Sequence, residues 1–158
     1  MLLSDCPLTF GEFKIQSHAE YLKSAFTELL RNALKFSPGG SPILVLMRKD
    51  NDRVFISFMN QASPHKQSSV GRRQSNIEEV DGIPAEYERL VFEPFFRIVK
   101  TVDERYDTID NGLGLTRVQK IVLRHGGNIS LFNVDDHIGT NLRVNAEIEL
   151  PLIKTDEI

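Results

Sequence analysis

Three polar side chains in the stretch ELLRNALKFSP, residues 28–38, are suited to act together on a bound anion or metal ion. Glu28, Asn32 and Lys35 are spaced i, i+4 and i+7, which at about 100° per residue places them within a narrow arc of one helix face. Asn is a poor helix former because its amide competes for backbone groups. The position of Asn32 beside the apolar seam therefore predicts a functional role for its side-chain oxygen. A solvated face that carries an acid–base pair is the alternative interpretation.

The helix that carries these residues is predicted to begin at a capping box, with Ser17 as the N-cap residue and Glu20 three positions later. It should end near Phe36, ahead of Pro38-Gly39-Gly40. Two β-rich runs follow, and the Asn51-Asp52 pair between them predicts an antiparallel hairpin. Alternation along the second run predicts one inward face, made by Val54, Ile56 and Phe58.

The second half of the chain adds two predicted helices and a second hairpin. A short helix begins near Pro84, a favoured first-turn residue, and a longer one ends at the glycine C-cap Gly126-Gly127. The longer helix turns four apolar side chains inward: Leu115, Val118, Ile121 and Val122. Strands are predicted over residues 128–133 and 141–151. Residues 62–79 have almost no apolar content, which predicts a mobile surface insertion.

The order of these elements is helix, hairpin, two helices, hairpin, which predicts an α+β fold with an antiparallel-rich sheet and helices on one face. The 158 residues predict one domain, and 41% hydrophobic with 26% charged residues is typical of a soluble globular protein. A net charge of −3 gives no electrostatic case for nucleic acid or an anionic membrane as a partner, despite the Arg72-Arg73 pair. The single cysteine, Cys6, excludes an intrachain disulfide, and no apolar run approaches the ~20 residues of a membrane span.

Four further motifs are each open to a structural and a functional interpretation. DNGLGL, residues 110–115, puts two glycines where a loop enters a helix, so that backbone N–H groups and the helix dipole could face a phosphate. A flexible loop with a glycine N-cap is the alternative. DGIP at residues 81–84 is compatible with a plain turn, FEPFFR at 92–97 with core aromatics beside a surface arginine, and IGT at 138–140 with a hairpin loop.

Together and in this order, the motifs resemble the ATP-binding catalytic domain of sensor histidine kinases, within the wider family that includes gyrase, Hsp90 and MutL. The resemblance covers residues 17–151: ELLRNALKFS is similar to the N box, DGIP to the end of the G1 box and FEPFFR to the F box. GLGL with HGG is similar to the G2 box and its helix, and GT before the last strand to the G3 position. The F box with GLGL is more typical of histidine kinases than of gyrase or Hsp90.

The resemblance implies a two-layer α/β sandwich of the Bergerat type over residues 1–158, with a mixed, antiparallel-rich sheet and about three helices on one face. Asn32 would give its carboxamide oxygen to Mg²⁺, Glu28 would polarise water near the metal or assist the acceptor, and Lys35 would reach the phosphates. The implied reaction is transfer of the γ-phosphoryl group of ATP to a histidine, which needs positioning and charge neutralisation more than covalent help.

The resemblance also implies where the nucleotide is held. Residues 97–111 correspond to the ATP lid, Gly112 and Gly114 would let it close over the triphosphate, and Thr140 matches a position near the adenine. The F box and the G1 and G2 boxes supply the remaining expected nucleotide contacts: Asp81, Gly82, Ile83, Arg97, Leu113 and Leu115.

Departures from the family pattern fall in the G1 and G2 boxes. The G1 box usually reads Asp-x-Gly-x-Gly-Ile-Pro, and its Asp accepts a hydrogen bond from the adenine amino group. Here the strand delivers Asn60 to that position, ahead of the insertion, and its oxygen can accept the same bond; Glu78 and Asp81 are less well placed. Val80 stands where the first glycine is expected, and Asp110 replaces the glycine that usually opens the G2 box.

The phosphoacceptor is expected outside these residues, because His18, His65, His125 and His137 fall in a first helical turn, the insertion, a helix end and a hairpin turn. The expected partner is a dimerisation and histidine phosphotransfer domain of the same or another chain, with a response regulator downstream. The domain is expected in the cytoplasm, alone or as the cytosolic part of a membrane-associated receptor, without membrane contact of its own. The alternatives are an anti-sigma-type serine kinase of the same fold and a non-catalytic docking module with impaired nucleotide binding.

Overall fold

A four-stranded antiparallel sheet carries two α-helices on one face in the computed structural model, which describes residues 15–62, 64–66, 79–98, 112–135 and 142–153. Of residues 64–66 and 79–81 it describes the backbone. In chain order the elements are α1 (Ala19–Phe36), β1 (Leu44–Asp50), β2 (Arg53–Gln61), β3 (Pro64–Lys66), β4 (Glu79–Asp81), 3₁₀ turns at Ala85–Tyr87 and Leu90–Phe92, α2 (Gly114–Arg124), β5 (Asn128–Asp135) and β6 (Leu142–Pro151). The sheet order is β1-β2-β6-β5. The predicted α+β fold is therefore confirmed.

The inner face of the sheet consists of side-chain rows that cross β2, β6 and β5. From one end of the sheet to the other, the rows are Val54–Leu150, Ile56–Ile148–Ile129, Phe58–Ala146–Leu131 and Asn60–Val144–Asn133. The side chains of the first two rows are buried, with at most 6% of their surface exposed. The last row has an asparagine at each end, so the inner face changes from apolar to polar along its length.

Both α-helices press an apolar stripe against the apolar rows. The buried side chains of the helices are Leu22, Ala25, Leu29 and Ala33 on α1 and Thr116, Val118, Ile121 and Val122 on α2. Each fully buried Val, Leu or Ile stabilises the fold by about 1.5–3 kcal/mol through removal of apolar surface from water. Within the described part of the chain, neither helix combines the length and the apolar character needed to cross a membrane.

The predicted first hairpin is confirmed. β1 and β2 pair from Leu44 with Met59 through Asp50 with Arg53, and Asn51 in the connecting turn has a positive φ of 50°. The predicted inward face of β2 is also confirmed, because its three alternating apolar side chains are at most 4% exposed: Val54, Ile56 and Phe58.

The predicted capping box at the start of α1 is wrong. The N-cap residue is His18 rather than Ser17, and no side chain caps the helix. The N–H groups of Tyr21 and Leu22 donate to the His18 carbonyl oxygen. The His18 N–H itself donates to His125 Nε2 at 3.0 Å, which ties the start of α1 to the end of α2. A contact to a residue far along the chain sets the helix start, and local sequence does not encode it.

The predicted short helix after Pro84 forms instead as two 3₁₀ turns, Ala85–Tyr87 and Leu90–Phe92. Its end is fixed by α2, because Thr116 Oγ1 donates to the Phe92 carbonyl oxygen at 2.8 Å in a buried hydrogen bond. Val91 and Phe92 are both 7% exposed and join the core. These anchors to other elements override the helix propensity of the segment.

The glycine end of α2 is confirmed. Gly126 has a positive φ of 69°, and its N–H donates to the Leu123 carbonyl at 3.0 Å, while the Gly127 N–H donates to the Val122 carbonyl at 3.1 Å. These two bonds form a Schellman motif, in which a left-handed residue satisfies the last carbonyls of a helix. The chain then turns directly into β5.

The predicted insertion, residues 62–79, begins and ends in a short backbone ladder. β3 and β4 pair antiparallel, with Pro64 opposite Asp81 and Lys66 opposite Glu79. Residues 67–78 lie outside the described residues. The ladder brings the two ends of the interrupted segment together.

A pair of Gly→Ala variants tests the packing of β5 and β6 against α2. A Cβ at Gly127 would overlap the Glu149 carbonyl oxygen and lie 2.8 Å from Leu150 Cδ2, so Gly127→Ala should lower the free energy of unfolding by about 1–3 kcal/mol. A Cβ at Gly39 meets no atom within 4 Å, so Gly39→Ala should change that free energy by less than about 0.5 kcal/mol. Urea unfolding monitored by circular dichroism measures both. Equal effects of the two substitutions would contradict the packing.

Candidate functional site

An open cleft lies over the third and fourth rows of the inner face. One wall is the C-terminal half of α1; the other is formed by residues 91–98 and the start of α2. Among the described residues the lining is mostly apolar, and the polar side chains in it are Glu28, Asn32, Asn60 and Arg97.

The α1 wall carries two of the three polar residues that share a face of that helix. Glu28 and Asn32 line the cleft one turn apart, while Leu29 and Ala33 beside them are buried. Lys35 is not among the lining residues. Its ammonium lies 5.2 Å from the centroid of the Phe36 ring, which does line the cleft. Lys35 is therefore held at the rim by a cation–π contact.

The Glu28 carboxylate lies against the first residue of α2. A Cβ at Gly114 would overlap Glu28 Oε1, so any side chain at position 114 would displace this carboxylate. The first turn of a helix carries unpaired N–H groups and a partial positive charge, which favours the carboxylate there. The two helices thus meet at the cleft through an acidic side chain and a bare backbone.

Gly112 joins the opposite wall through backbone contacts. It has a positive φ of 65°, and a Cβ there would lie 2.9 Å from the Phe96 carbonyl oxygen, closer than real Cβ contacts. The Phe95 N–H donates to the Gly112 carbonyl at 3.0 Å, and Phe95 itself has a φ of 67°, which is unusual for an aromatic residue. Only glycine fits this approach, so the F-box segment and the start of α2 form one continuous wall.

The floor of the cleft is an apolar slot with one amide at its end. Asn60 is 6% exposed, and its Nδ2 donates to the Gln61 carbonyl at 2.9 Å. With the amide nitrogen held in this way, Oδ1 is the atom that can accept a hydrogen bond from a ligand. Apolar side chains surround the slot: Phe36, Phe58, Ile83, Leu131, Val144 and Ala146. A flat heteroaromatic ring with an exocyclic amino group suits these surroundings.

Most of the residues predicted for the site lie in one place. Those that line the cleft are Glu28, Asn32, Asn60, Ile83, Arg97, Gly112, Gly114 and Leu115. Among the described residues, Lys35, Gly82 and Leu113 are outside the lining, with Gly82 buried and Leu113 41% exposed. The Asp81 side chain, Thr140 and residues 99–111 of the predicted lid lie outside what the structure describes.

Sequence analysis missed the residues of the floor and one residue behind it. Leu131 and Val144 become part of the site only through the register of β5 and β6, which strand alternation alone does not fix. The sequence also did not indicate that Asn133 contacts the site. Its Oδ1 accepts from the Ile83 N–H at 2.9 Å and its Nδ2 donates to the Ile83 carbonyl at 2.8 Å, although Ile83 is 50 positions away.

The donor set fits a nucleotide-bound Mg²⁺ better than a metal held by protein alone. Within the described residues there is no group of three or more His, Cys, Asp or Glu side chains that could hold a metal ion. Mg²⁺ is commonly bound by one or two protein oxygens together with phosphates and water, and Asn32 and Glu28 supply such oxygens at the cleft. The Phe96 carbonyl and the Glu28 carboxylate occupy the positions where side chains at Gly112 and Gly114 would lie.

Comparison with known proteins identifies the family of the chain. Residues 17–152 match the family described as histidine kinase-, DNA gyrase B- and HSP90-like ATPases. The probable sensor protein PcoS of Escherichia coli is 30% identical over 120 residues, which are 76% of this chain and 22% of that protein. The signal transduction histidine-protein kinase/phosphatase MprB of Mycobacterium leprae (strain TN) is 30% identical over 124 residues, 78% of this chain and 19% of that protein. The chain spans about a fifth of the length of these two relatives.

Solved structures agree with the sequence relatives. A mycobacterial sensor histidine kinase MprB superimposes with a TM-score of 0.65 at 26% identity, over 89% of this chain and 76% of that one. The catalytic domain of histidine kinase ThkA shares the fold, with a TM-score of 0.61 at 21% identity over 87% of this chain and 70% of that one. The resemblance seen in the sequence is confirmed: the chain belongs to the histidine kinase-, DNA gyrase B- and HSP90-like ATPase family.

Proposed function

We propose that this chain is the ATP-binding catalytic domain of a sensor histidine kinase, which transfers the γ-phosphoryl group of Mg²⁺-ATP to a histidine on a dimerisation and phosphoacceptor domain. The observation that carries the proposal is the polarity of the cleft. One end is an apolar slot closed by the Asn60 carboxamide, and the other joins Glu28 and Asn32 to the bare backbone of Gly112 and Gly114. A ligand with a flat base at one end and phosphates with a metal ion at the other matches both ends.

Adenine is the base that the slot suits best. Asn60 Oδ1 would accept a hydrogen bond from the adenine amino group, because Nδ2 is bonded to the Gln61 carbonyl. A base with a carbonyl in that position would face Oδ1 with a second acceptor and leave both unpaired, which is costly in a buried site. Phe58 and Val144 would bury the faces and edges of the ring.

The phosphate end would work by orientation and charge neutralisation. Mg²⁺-ATP, when bound, supplies the transferable phosphoryl group and a metal ion that neutralises charge on the phosphates. Asn32 would offer its carboxamide oxygen to the metal ion. Gly112 and Gly114 line the same wall as Arg97, whose guanidinium would attract the charge of the phosphates. Lys35, at the rim beside Phe36, would reach toward them.

Glu28 would orient the attacking group rather than bind the nucleotide. Its carboxylate lies against Gly114, between the Asn32 side of α1 and the start of α2. From there it would accept a hydrogen bond from the incoming imidazole or from a water molecule on the metal ion. Such a contact matters when the acceptor approaches and contributes little to holding ATP.

We infer that the acceptor histidine comes from another domain. The histidines whose side chains the structure describes, His18 and His125, are absent from the cleft lining; the His18 N–H donates to His125 Nε2, and His125 Nδ1 bonds the Ile121 carbonyl. The similar proteins named sensor protein and histidine-protein kinase/phosphatase are about five times longer than the matched region, which leaves room for such a domain. A response regulator would then receive the phosphoryl group. The domain would work in the cytosol, on the inner side of a membrane receptor where one is present.

A matched pair of Asn→Ala variants tests the metal-dependent binding. Asn32→Ala removes an oxygen at the cleft, so ATP affinity in Mg²⁺ should fall at least about tenfold, or ~1.4 kcal/mol, and lose its dependence on the metal. Asn128→Ala changes an exposed residue at the start of β5 and should leave binding unchanged. Isothermal titration with ATP, with and without Mg²⁺, measures each Kd. The proposal fails if a folded wild-type chain does not bind Mg²⁺-ATP, or if Asn32→Ala binds it normally.

Glu28→Gln separates chemistry from binding. The amide keeps the shape of Glu28 but removes the charge, so the Kd for Mg²⁺-ATP should stay within about threefold while phosphotransfer slows by about 10²-fold or more. Transfer from γ-labelled ATP to a phosphoacceptor histidine domain, supplied in trans, measures the rate. Glu20→Gln on the exposed first turn of α1 is the control and should behave as wild type. A Glu28→Gln protein with an unchanged rate would remove this role of the carboxylate.

A further inference from the structure

We propose that Asn133 is a positioning residue for the base-binding end of the cleft, where it holds the Gly82–Ile83 segment in place across a break in the G1 motif. The inference rests on the proposed function, since it assigns a role within the same nucleotide site. Asn133 lies outside the cleft lining and outside every motif singled out in the sequence. Its action on the ligand would be indirect, through Ile83.

The Asn133 carboxamide makes a paired contact with the backbone of one residue. Its Oδ1 accepts from the Ile83 N–H at 2.9 Å, and its Nδ2 donates to the Ile83 carbonyl at 2.8 Å. The two bonds satisfy the donor and the acceptor of Ile83 as a neighbouring strand would. They also fix both position and orientation of that residue, which a single bond would not do.

Besides Asn133, this segment is joined to the strand that carries Asn60 through the short β3–β4 ladder, in which Pro64 pairs with Asp81. β2 ends at Gln61, and the chain returns to the site only with β4, Glu79–Asp81. Where the family pattern runs from the base-reading residue to Gly-Ile-Pro without interruption, residues 62–79 intervene here. A long connection leaves its ends free to separate unless other contacts join them, because closing a longer loop costs more conformational entropy.

The sheet register places the anchor beside the base-reading residue. Asn60, Val144 and Asn133 form the fourth row of the inner face, with Asn60 and Asn133 on either side of Val144. Ile83 is 6% exposed and lines the cleft. The row therefore carries two asparagines with different tasks. Asn60 faces the ligand, and Asn133 holds the apolar residue that packs beside it.

Gly82 is fitted to the same contact. It has a positive φ of 76°, and a Cβ there would overlap Asn133 Oδ1 and lie 3.0 Å from Leu142 Cδ2. Ala62, at the start of the break, is also bonded to Leu142 of β6, because its N–H donates to the Leu142 carbonyl at 2.8 Å. The residues before and after the break in the motif thus both lie near Leu142 at the beginning of β6. Asn133 holds the residues after the break, Gly82 and Ile83.

The variant Asn133→Asp tests this role with little change in size. The second carboxylate oxygen replaces the amide donor and faces the Ile83 carbonyl, so one bond becomes a repulsion while the other remains. Asn128→Asp, an exposed position on the same strand, is the matched control. Competition binding in the presence of Mg²⁺ measures the affinity for ATP. Amide hydrogen exchange of the nucleotide-free protein reports on Ile83.

A positioning role predicts that Asn133→Asp weakens ATP binding at least about tenfold, because Ile83 no longer packs firmly beside the base. The Ile83 amide should exchange faster, while amides of the central pair Ile56 and Ile148 keep their protection. An Asn133→Asp protein that keeps its ATP affinity, or whose Ile83 amide exchanges no faster than in the wild type, would overturn the inference. A wild-type chain without ATP affinity would instead remove the proposed function as well, which separates the two failures.

Discussion

Burial of the inner face of the sheet beneath α1 and α2 is the interaction on which the rest of the structure depends. The first two rows, from Val54 to Ile129, belong to the same buried core as the apolar stripes of both helices. The same face continues past this core as the Phe58 and Asn60 rows, which become the floor of the cleft. The strands that stabilise the fold therefore also carry the floor of the cleft, so the packing of the sheet holds the floor residues in place. A binding site built on strands is held more precisely than one built on loops alone.

Close backbone approach shapes the other end of the cleft. Gly112 contacts the F-box turn, and Gly114 leaves space for the Glu28 carboxylate, so each glycine removes a side chain that would separate two elements. Among the described residues, Glu28 and Arg97 are the charged side chains that line the cleft. Such an arrangement suits phosphoryl transfer, where orientation and neutralisation of charge lower the barrier more than covalent participation does. The two ends of the cleft thus differ in polarity. The apolar end would bury a base, and the exposed polar groups at the other end would contact phosphates.

Local sequence patterns predicted the parts of the molecule that local physics decides. Alternation along β2 gave the buried face of Val54, Ile56 and Phe58, and Gly126 marked the end of α2, because a left-handed residue there favours glycine. The start of α1 and the turns after Pro84 were mispredicted, since contacts to α2 decide both. The Glu28 and Asn32 wall followed from helical spacing. The floor of the cleft and the Asn133 contact depend on strand register and on bonds between distant residues, for which the sequence offers no short-range signal.

The central claim is that the cleft between α1, the Asn60 row and the start of α2 holds Mg²⁺-ATP. The most direct measurement is a titration of isotope-labelled protein with a non-hydrolysable ATP analogue in Mg²⁺, followed by backbone amide NMR. The account predicts saturable shifts that are largest at Asn32, Asn60, Ile83, Gly112 and Gly114, with the exposed edge strand β1 unaffected. A folded protein whose amides do not respond, or respond most strongly on β1, would contradict it.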